Sequence, residues 1–257
     1  MHAAAPHARS RAAFAALLAL LLAAALGFAA LGTWQVRRLA WKEALIARVD
    51  ARIRATPAPI PGRAEWPTLT RDAAEYRRVL VQGRFDPQRQ VTVTASTELG
   101  AGYWVLTPMH LDDGTVLLVN RGFVPPDQRA EAAPPAAGEV QVVGLLRWTE
   151  PAGGFLRHND PAQGRWYSRD VQAIAAALGL PRPVAPFFVD AQAVQGEGGG
   201  WPRPGLTVVR FPNNHLGYAL TWFAMAAACV AMAVYVLRDD RRPRPGAQRS
   251  DADSFAS

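Results

Sequence analysis

Three side chains that could bind a flat, iron-containing ligand follow one another at helical spacing near the end of the chain. His215, Tyr218 and Trp222 occupy positions i, i+3 and i+7, so they share one face of a helix. Neutral imidazole is a common axial ligand of haem iron, and aromatic rings can pack on a macrocycle. The alternative is an aromatic belt at a membrane interface, in which His215 caps a bundle or faces headgroups. Spacing alone leaves both interpretations open.

Two apolar segments must position these residues. Segments 12–32 and 216–237 contain no charged side chain, and about 20 apolar residues suffice for a membrane-spanning helix. The sequence therefore predicts transmembrane helices over 12–32 and 215–237, pairing through their alanines and Gly27. They flank one domain, 33–214. An ionisable residue at the start of such a helix is a candidate for function.

The first segment has a second interpretation. Arg9 and Arg11 precede it, and Gly27 and Ala29 form a small-x-small pattern, as in a cleaved signal peptide. Its apolar stretch exceeds the usual ~7–15 residues of such peptides. A retained anchor is therefore the favoured interpretation.

The positions of basic residues and the even number of predicted spans together predict the topology. Four arginines follow the second segment closely, which places the C-terminal tail 238–257 in the cytoplasm. Two spans return the chain to its starting side, so the basic N-terminus 1–11 is cytoplasmic as well. The prediction is a multi-pass protein of the bacterial cell (inner) membrane with a periplasmic central domain.

Composition argues against several classes of function. Of the 28 basic residues only Lys42 is lysine, an arginine bias typical of codon composition, and the basic residues are scattered, so nucleic-acid binding is not expected. A single cysteine, Cys229, excludes an intrachain disulfide and a thiolate metal cluster. Common hydrolase, P-loop and dinucleotide-binding signatures are missing from the sequence. We expect a protein that is not an enzyme.

The central region begins as a helix and continues as strands. Trp34, Trp41, Leu45, Val49 and Ile53 form one helical stripe, which predicts an amphipathic stalk over 34–54. Beyond it, Asp113-Gly114 marks a hairpin, and a helix capped by Ser168 is expected over 169–178. The predicted strands are 77–84, 90–95, 103–110, 115–120, 140–147, 186–190 and 206–211. The fold class is therefore α+β, with two transmembrane helices flanking a β-rich antiparallel domain of barrel-like or sandwich form.

Four motifs carry a resemblance to a known family. They are Leu31-Gly32-Thr33-Trp34-Gln35-x-x-Arg38-Leu39-x-Trp41-Lys42, Gly83-Arg84-Phe85, Val119-Asn120-Arg121-Gly122-Phe123-Val124-Pro125 and Asn213-Asn214-His215-x-x-Tyr218-Ala219-x-Thr221-Trp222-Phe223. In this order they resemble the surfeit-locus family of cytochrome c oxidase assembly factors over 31–237. Phe123 departs from the pattern, since the family often has tryptophan there.

The resemblance implies a chaperone that aids haem a insertion into subunit I of a haem-copper oxidase. It implies transient haem a binding, with His215 as axial ligand and Tyr218 and Trp222 beside it. Expected partners are oxidase subunit I, membrane lipid and, as a further candidate, haem a synthase. Family motif positions of unsettled role are Trp34, Gln35, Arg38, Asn120, Arg121 and Gly122.

Several alternatives stay open at this point. The chain could be a haem-independent scaffold for an oxidase intermediate, or a membrane-tethered hydrolase or transferase. Arg121 could bind an anion, although an internal salt bridge is favoured. A second haem ligand could come from His110 or from a partner protein.

Overall fold

The computed structural model describes residues 11–130, 132, 134–151, 153–154, 156–198, 200–206 and 213–241. The chain forms two compact units. The helical unit comprises Met1–Leu45 and Phe211–Ser257, and the sheet unit comprises Ile46–Arg210.

Two long helices dominate the helical unit. Helix α1 runs over Arg11–Arg54 and helix α4 over His215–Asp240. Both are long and apolar enough to cross a membrane, and 6% and 0% of their most apolar windows are buried. A core helix of a soluble protein would be mostly buried, so these exposed apolar surfaces are typical of helices that face lipid.

The first apolar segment and the expected stalk form one uninterrupted helix. The residues of the expected apolar stripe, however, are not all buried on one face. Val49 is buried, whereas Trp34 and Trp41 are 56% and 49% exposed. Trp41 and Val49 are eight residues apart, which places them about 80° apart around a helix. The Arg38 guanidinium lies 4.0 Å from the centroid of the Trp41 ring, so this tryptophan packs along its own helix.

The sheet unit contains seven strands: β1 (Ala58–Pro59), β2 (Arg78–Phe85), β3 (Val91–Thr97), β4 (Gly100–His110), β5 (Val116–Val124), β6 (Glu139–Trp148) and β7 (Val184–Val194). Their order is β1-β2-β6-β7-β5-β4-β3. An additional antiparallel pairing, Arg84 with His110 and Phe85 with Met109, joins β2 to β4. Strands β2, β6, β7, β5 and β4 therefore form a closed ring, which is the barrel-like form of the expected fold.

The α+β class is confirmed, and the sheet is mixed rather than wholly antiparallel. β5 pairs with β7 in parallel, as does β1 with β2. The long connection 149–183 allows β7 to enter between β5 and β6, which run in opposite directions. A strand inserted there must be parallel to one neighbour, and only such a long connection permits a parallel partner.

The core lies on both sides of the ring. One apolar cluster includes Val79, Val119, Val142 and Phe187. The other packs β5 and β7 against helix α3 (Val171–Ala177). Every residue of β5 is buried, which explains the apolar run over 116–119 at its start.

The hairpin turn lies where the sequence predicts it, whereas the helix cap does not. Gly114 has φ +78° and the Leu111 amide donates to the Thr115 carbonyl at 2.9 Å, so the Asp113-Gly114 hairpin is confirmed. The cap of α3 was wrongly assigned to Ser168: Asp170 accepts from the Ala173 amide, because α3 begins two residues later than expected. Short helical segments occur at Trp66–Thr68, Arg71–Ala74 (α2), Pro126–Gln128 and Pro161–Gln163. The expected strand 206–211 lies, beyond Leu206, outside the described residues.

Candidate functional site

The helical unit is built on a close contact between α1 and α4. An added Cβ at Gly32 would lie 2.8 Å from the Phe223 ring, closer than real Cβ contacts allow. Phe28 stacks on Trp222 with ring centroids 5.7 Å apart and planes at 21°. Ala25 on α1 and Ala219 on α4 are both buried. Small side chains at the contact allow helices to approach closely in lipid.

Gly32, and not Gly27, is the glycine at this contact. A Cβ added at Gly27 would meet nothing within 4 Å. Ala25, Phe28, Gly32 and Gln35 recur at spacings of three and four, which is the seam of paired helices. Gly27 is off this seam, so the expected pairing through it is wrong.

A polar contact lies at the same seam. His215 Nδ1 is 2.7 Å from Gln35 Oε1, and Gln35 is only 9% exposed. His215 is half-buried at the first position of α4. The two motif residues, far apart in sequence, are therefore joined directly, and the contact pairs an imidazole with an amide.

Two threonine hydroxyls in these helices bond to their own backbone. Thr33 Oγ1 donates to the Ala29 carbonyl and Thr221 Oγ1 to the Gly217 carbonyl. Such bonds one turn back satisfy a hydroxyl in an apolar environment. These two threonines are therefore accounted for by their own helices.

The three aromatic candidates are not equivalent. His215 and Trp222 are half-buried toward α1, while Tyr218 is 57% exposed. One face of Trp222 is covered by Phe28. Tyr218 and the free side of Trp222 are the aromatic surfaces that a planar ligand could use.

Asn120, Arg121 and Gly122 lie in strand β5 of the sheet unit, and the last two contact the loop that follows β7. Arg121, 1% exposed, donates from Nη2 to Glu197 Oε1 at 2.9 Å. The internal salt bridge expected for Arg121 is thus present. The Asn120 side chain accepts from the Gly122 amide at 3.1 Å.

Gly122 lies directly against the same loop. It has φ +139°, and an added Cβ would lie 2.2 Å from the Arg203 carbonyl oxygen. The Phe123 amide donates to the Arg203 carbonyl, and the Arg203 amide donates back, both at 2.9 Å. Only glycine fits this backbone conformation and approach.

The sequence did not reveal a buried charge network centred on Asp190. Its carboxylate accepts from Asn120 Nδ2 at 2.8 Å, Arg147 Nη1 at 2.8 Å and Arg169 Nη1 at 3.1 Å. Glu150 also accepts from Arg169. The signal available in the sequence was a charged residue inside the apolar run of β7.

Electrostatics binds this network together. Burial alone would lower the pKa of Arg169, but the carboxylates of Asp190 and Glu150 raise it above its ordinary value. The pKa of Arg71 is raised as well, chiefly by its hydrogen bond to Glu75. Glu75 also pairs with Arg147. The network is a folding element in which charges neutralise one another.

His110 lies in the sheet unit, at the end of β4. Its Nε2 is 3.9 Å from an Asp86 carboxylate oxygen and its side chain is 43% exposed, while Met109 is fully buried. Within the described residues, no cluster of three or more His, Cys, Asp and Glu could hold a metal ion.

A cavity of about 530 Å³ lies beside Arg121 and Glu197, against Trp201 and Arg203. The described residues that line it include no Ser, Cys or His. They therefore offer no nucleophile–base pair of the kind that hydrolases use.

Comparison with known proteins gives consistent similarities. A model of the SURF1 family matches residues 22–227. Surfeit locus protein 1 of Mus musculus is 37% identical over 221 residues, covering 77% of this chain and 68% of the relative. That of Homo sapiens is 36% identical over 222 residues (77% and 70%). A SURF1-like protein of Monosiga brevicollis is 37% identical over 225 residues (81% and 82%).

Proposed function

Because this chain belongs to the SURF1 family of cytochrome c oxidase assembly factors, we propose that it aids haem a delivery to oxidase subunit I. The observation that carries this proposal is the Gln35–His215 contact at 2.7 Å between α1 and α4. It joins two family motifs around the one imidazole of the apolar helices. When bound, haem a would supply an iron atom that a neutral imidazole can ligate.

The residues of the helical unit fit such a group. His215 is half-buried, and Tyr218 and the free side of Trp222 offer aromatic surface next to it. Arg38 follows Gln35 by three residues on α1. Its guanidinium would pair with a carboxylate group of haem a. These side chains would hold haem a at the seam, with His215 as ligand.

Holding haem by one imidazole suits a carrier. A site that holds haem through His215 alone would bind it more weakly than a buried site with two ligands, and a chaperone must release its cargo to the final site. The chain acts by binding, not by turnover, and its partners are subunit I, membrane lipid and, as a further candidate, haem a synthase.

The pigment test is direct. The full chain is purified in detergent from cells that make haem a, alongside His215→Ala and, as a matched control, His110→Ala. We expect a red-shifted haem spectrum that His215→Ala loses and His110→Ala keeps. An unchanged spectrum and haem stoichiometry in His215→Ala would reject the ligand assignment.

The same purification separates the alternative of a haem-independent scaffold. That role predicts co-purification of oxidase subunit I with a colourless wild-type protein. Robust substrate turnover by the full chain would instead favour the hydrolase or transferase alternative.

The proposed location is a bacterial cell membrane, with both termini cytoplasmic and the sheet unit periplasmic. Leu156 is 87% exposed, so Leu156→Cys offers a reporter in the sheet unit. A membrane-impermeant maleimide should label this cysteine in intact spheroplasts, above the background of Cys229 in the parent protein. Labelling that requires lysis would reverse the proposed topology.

A further inference from the structure

The two ring nitrogens of His215 have different surroundings. Nδ1 lies 2.7 Å from Gln35 Oε1. Among the described residues, Nε2 has no hydrogen-bond partner. Gln35 is 9% exposed, so water competes little for its amide oxygen.

Hydrogen-bond chemistry decides which nitrogen carries the proton. An amide oxygen only accepts, so Nδ1 must donate, and a neutral imidazole then has its lone pair on Nε2. We infer that Gln35 is a positioning residue that fixes His215 as the Nδ1–H tautomer and thereby assigns Nε2 as the iron-binding atom. This inference rests on the proposed function, because it names the atom that ligates haem a.

The helix contact sets up this arrangement. Gln35 follows Gly32 by three residues on the seam, and Gly32 lets α1 approach the Phe223 ring without a side chain between them. The close approach brings the short Gln35 side chain within reach of the imidazole. In metalloproteins, an acceptor on the second ring nitrogen orients the ligand and raises its basicity.

The competing explanation is a purely structural interhelical bond. Such a bond would hold α1 to α4 but would not change the properties of iron bound to His215. Two variants separate the roles: Gln35→Glu keeps an acceptor, whereas Gln35→Leu keeps the approximate size and removes it. Gln163→Leu, at an exposed glutamine of the sheet unit, is the matched control.

The first measurement needs no haem. Two-bond ¹H–¹⁵N spectra of the haem-free full chain in micelles, with ¹⁵N-histidine and His215 assigned from His215→Ala, report the tautomer. We expect Nδ1–H in the wild type, in Gln35→Glu and in Gln163→Leu, and a shift toward Nε2–H in Gln35→Leu. A wild-type ring that is mainly Nε2–H would overturn the inference.

The second measurement is haem a titration followed by potentiometry. Gln35→Leu should bind haem a about 10- to 100-fold more weakly, the usual effect of losing such a partner. Gln35→Glu should keep binding and lower the reduction potential of bound haem, since a carboxylate acceptor makes the imidazole a stronger donor.

The outcomes distinguish the two levels of the proposal. If the wild type binds haem a and Gln35→Leu binds it with the same affinity and the same reduction potential, the role of Gln35 is overturned. Haem delivery then still stands. A wild type that binds no haem a would overturn haem delivery and the ligand role of Nε2 together.

Discussion

The helical unit and the sheet unit use buried polar side chains in opposite ways. In the sheet unit, Asp190 receives three side-chain donors, and the arginines that supply two of them pair with further carboxylates. In the helical unit, His215 meets Gln35 through one ring nitrogen only. In the sheet unit the buried charges neutralise one another within the fold, whereas in the helical unit the tautomer inferred above would leave the Nε2 lone pair of His215 available to a ligand.

The largest expected effect comes from breaking the sheet-unit network. Asp190→Ala would leave Arg147 and Arg169 buried without their shared carboxylate, so the free energy of unfolding should fall by about 3–5 kcal/mol. Urea unfolding of the full chain in micelles measures this.

Asp112→Ala, at an exposed turn position, is the control for Asp190→Ala. Haem content per folded molecule should not change in either variant. A loss of haem a at unchanged stability would contradict the division of roles between the two units.

Overpacking the helix contact should have the next largest effect. Gly32→Val places a side chain against Phe223, and such overpacking typically lowers the free energy of unfolding by about 1–3 kcal/mol. It should also weaken haem a binding, because Gln35 and His215 are moved apart. Gly27→Val, at a position with no neighbour within 4 Å, should be close to wild type in the same titration. Restoration by Phe223→Ala in the Gly32→Val background would show that the clash is the cause.

The two aromatic candidates on α4 should differ more modestly. Trp222→Ala removes the stack with Phe28, worth about 0.5–1.5 kcal/mol beyond its buried area, and should lower the detergent-unfolding midpoint of the helical unit. Tyr218→Ala should leave that midpoint unchanged, because Tyr218 is 57% exposed. Equal midpoints in the two variants would argue against the Phe28–Trp222 stack.

The smallest effect is a local titration on the surface of the sheet unit. The hydrogen bond from Arg165 lowers the pKa of Asp160. Since this pKa is depressed in the folded state, its small contribution is present above the ordinary aspartate pKa and is lost as pH falls through the folded value. Carboxyl NMR titration should show the Asp160 pKa returning upward in Arg165→Gln, and no change there would mean that the pair is not formed in solution.

Local patterns predicted much of the fold. Alternation and turn residues located β2 to β7 to within a few residues, and Asp113-Gly114 located the β4–β5 hairpin. The parallel pairing of β7 with β5 could not be predicted, because pairing over a long connection depends on tertiary packing that short-range patterns do not contain.

The candidate site was predicted less completely. Helical spacing and the motifs singled out His215 and Trp222, but the partner on α1 required knowing which faces meet. Phe28, Gly32 and Gln35 are separated by four and three residues, so they lie on one face of α1. That face can be traced in the sequence only after Gln35 is known to lie on it. The Asp190 network joins residues distant in sequence, and nothing in their local context specifies the pairing.

The contact between Gly32 and the Phe223 ring also constrains how the sequence can drift. With Phe223 in place, any side chain at position 32 meets the ring, whereas a smaller residue at 223 only leaves space. A larger residue at position 32 is therefore accommodated with least displacement of the ring in a relative that has a smaller residue at position 223. Across many relatives, the two positions should covary, with the sum of their side-chain volumes nearly constant.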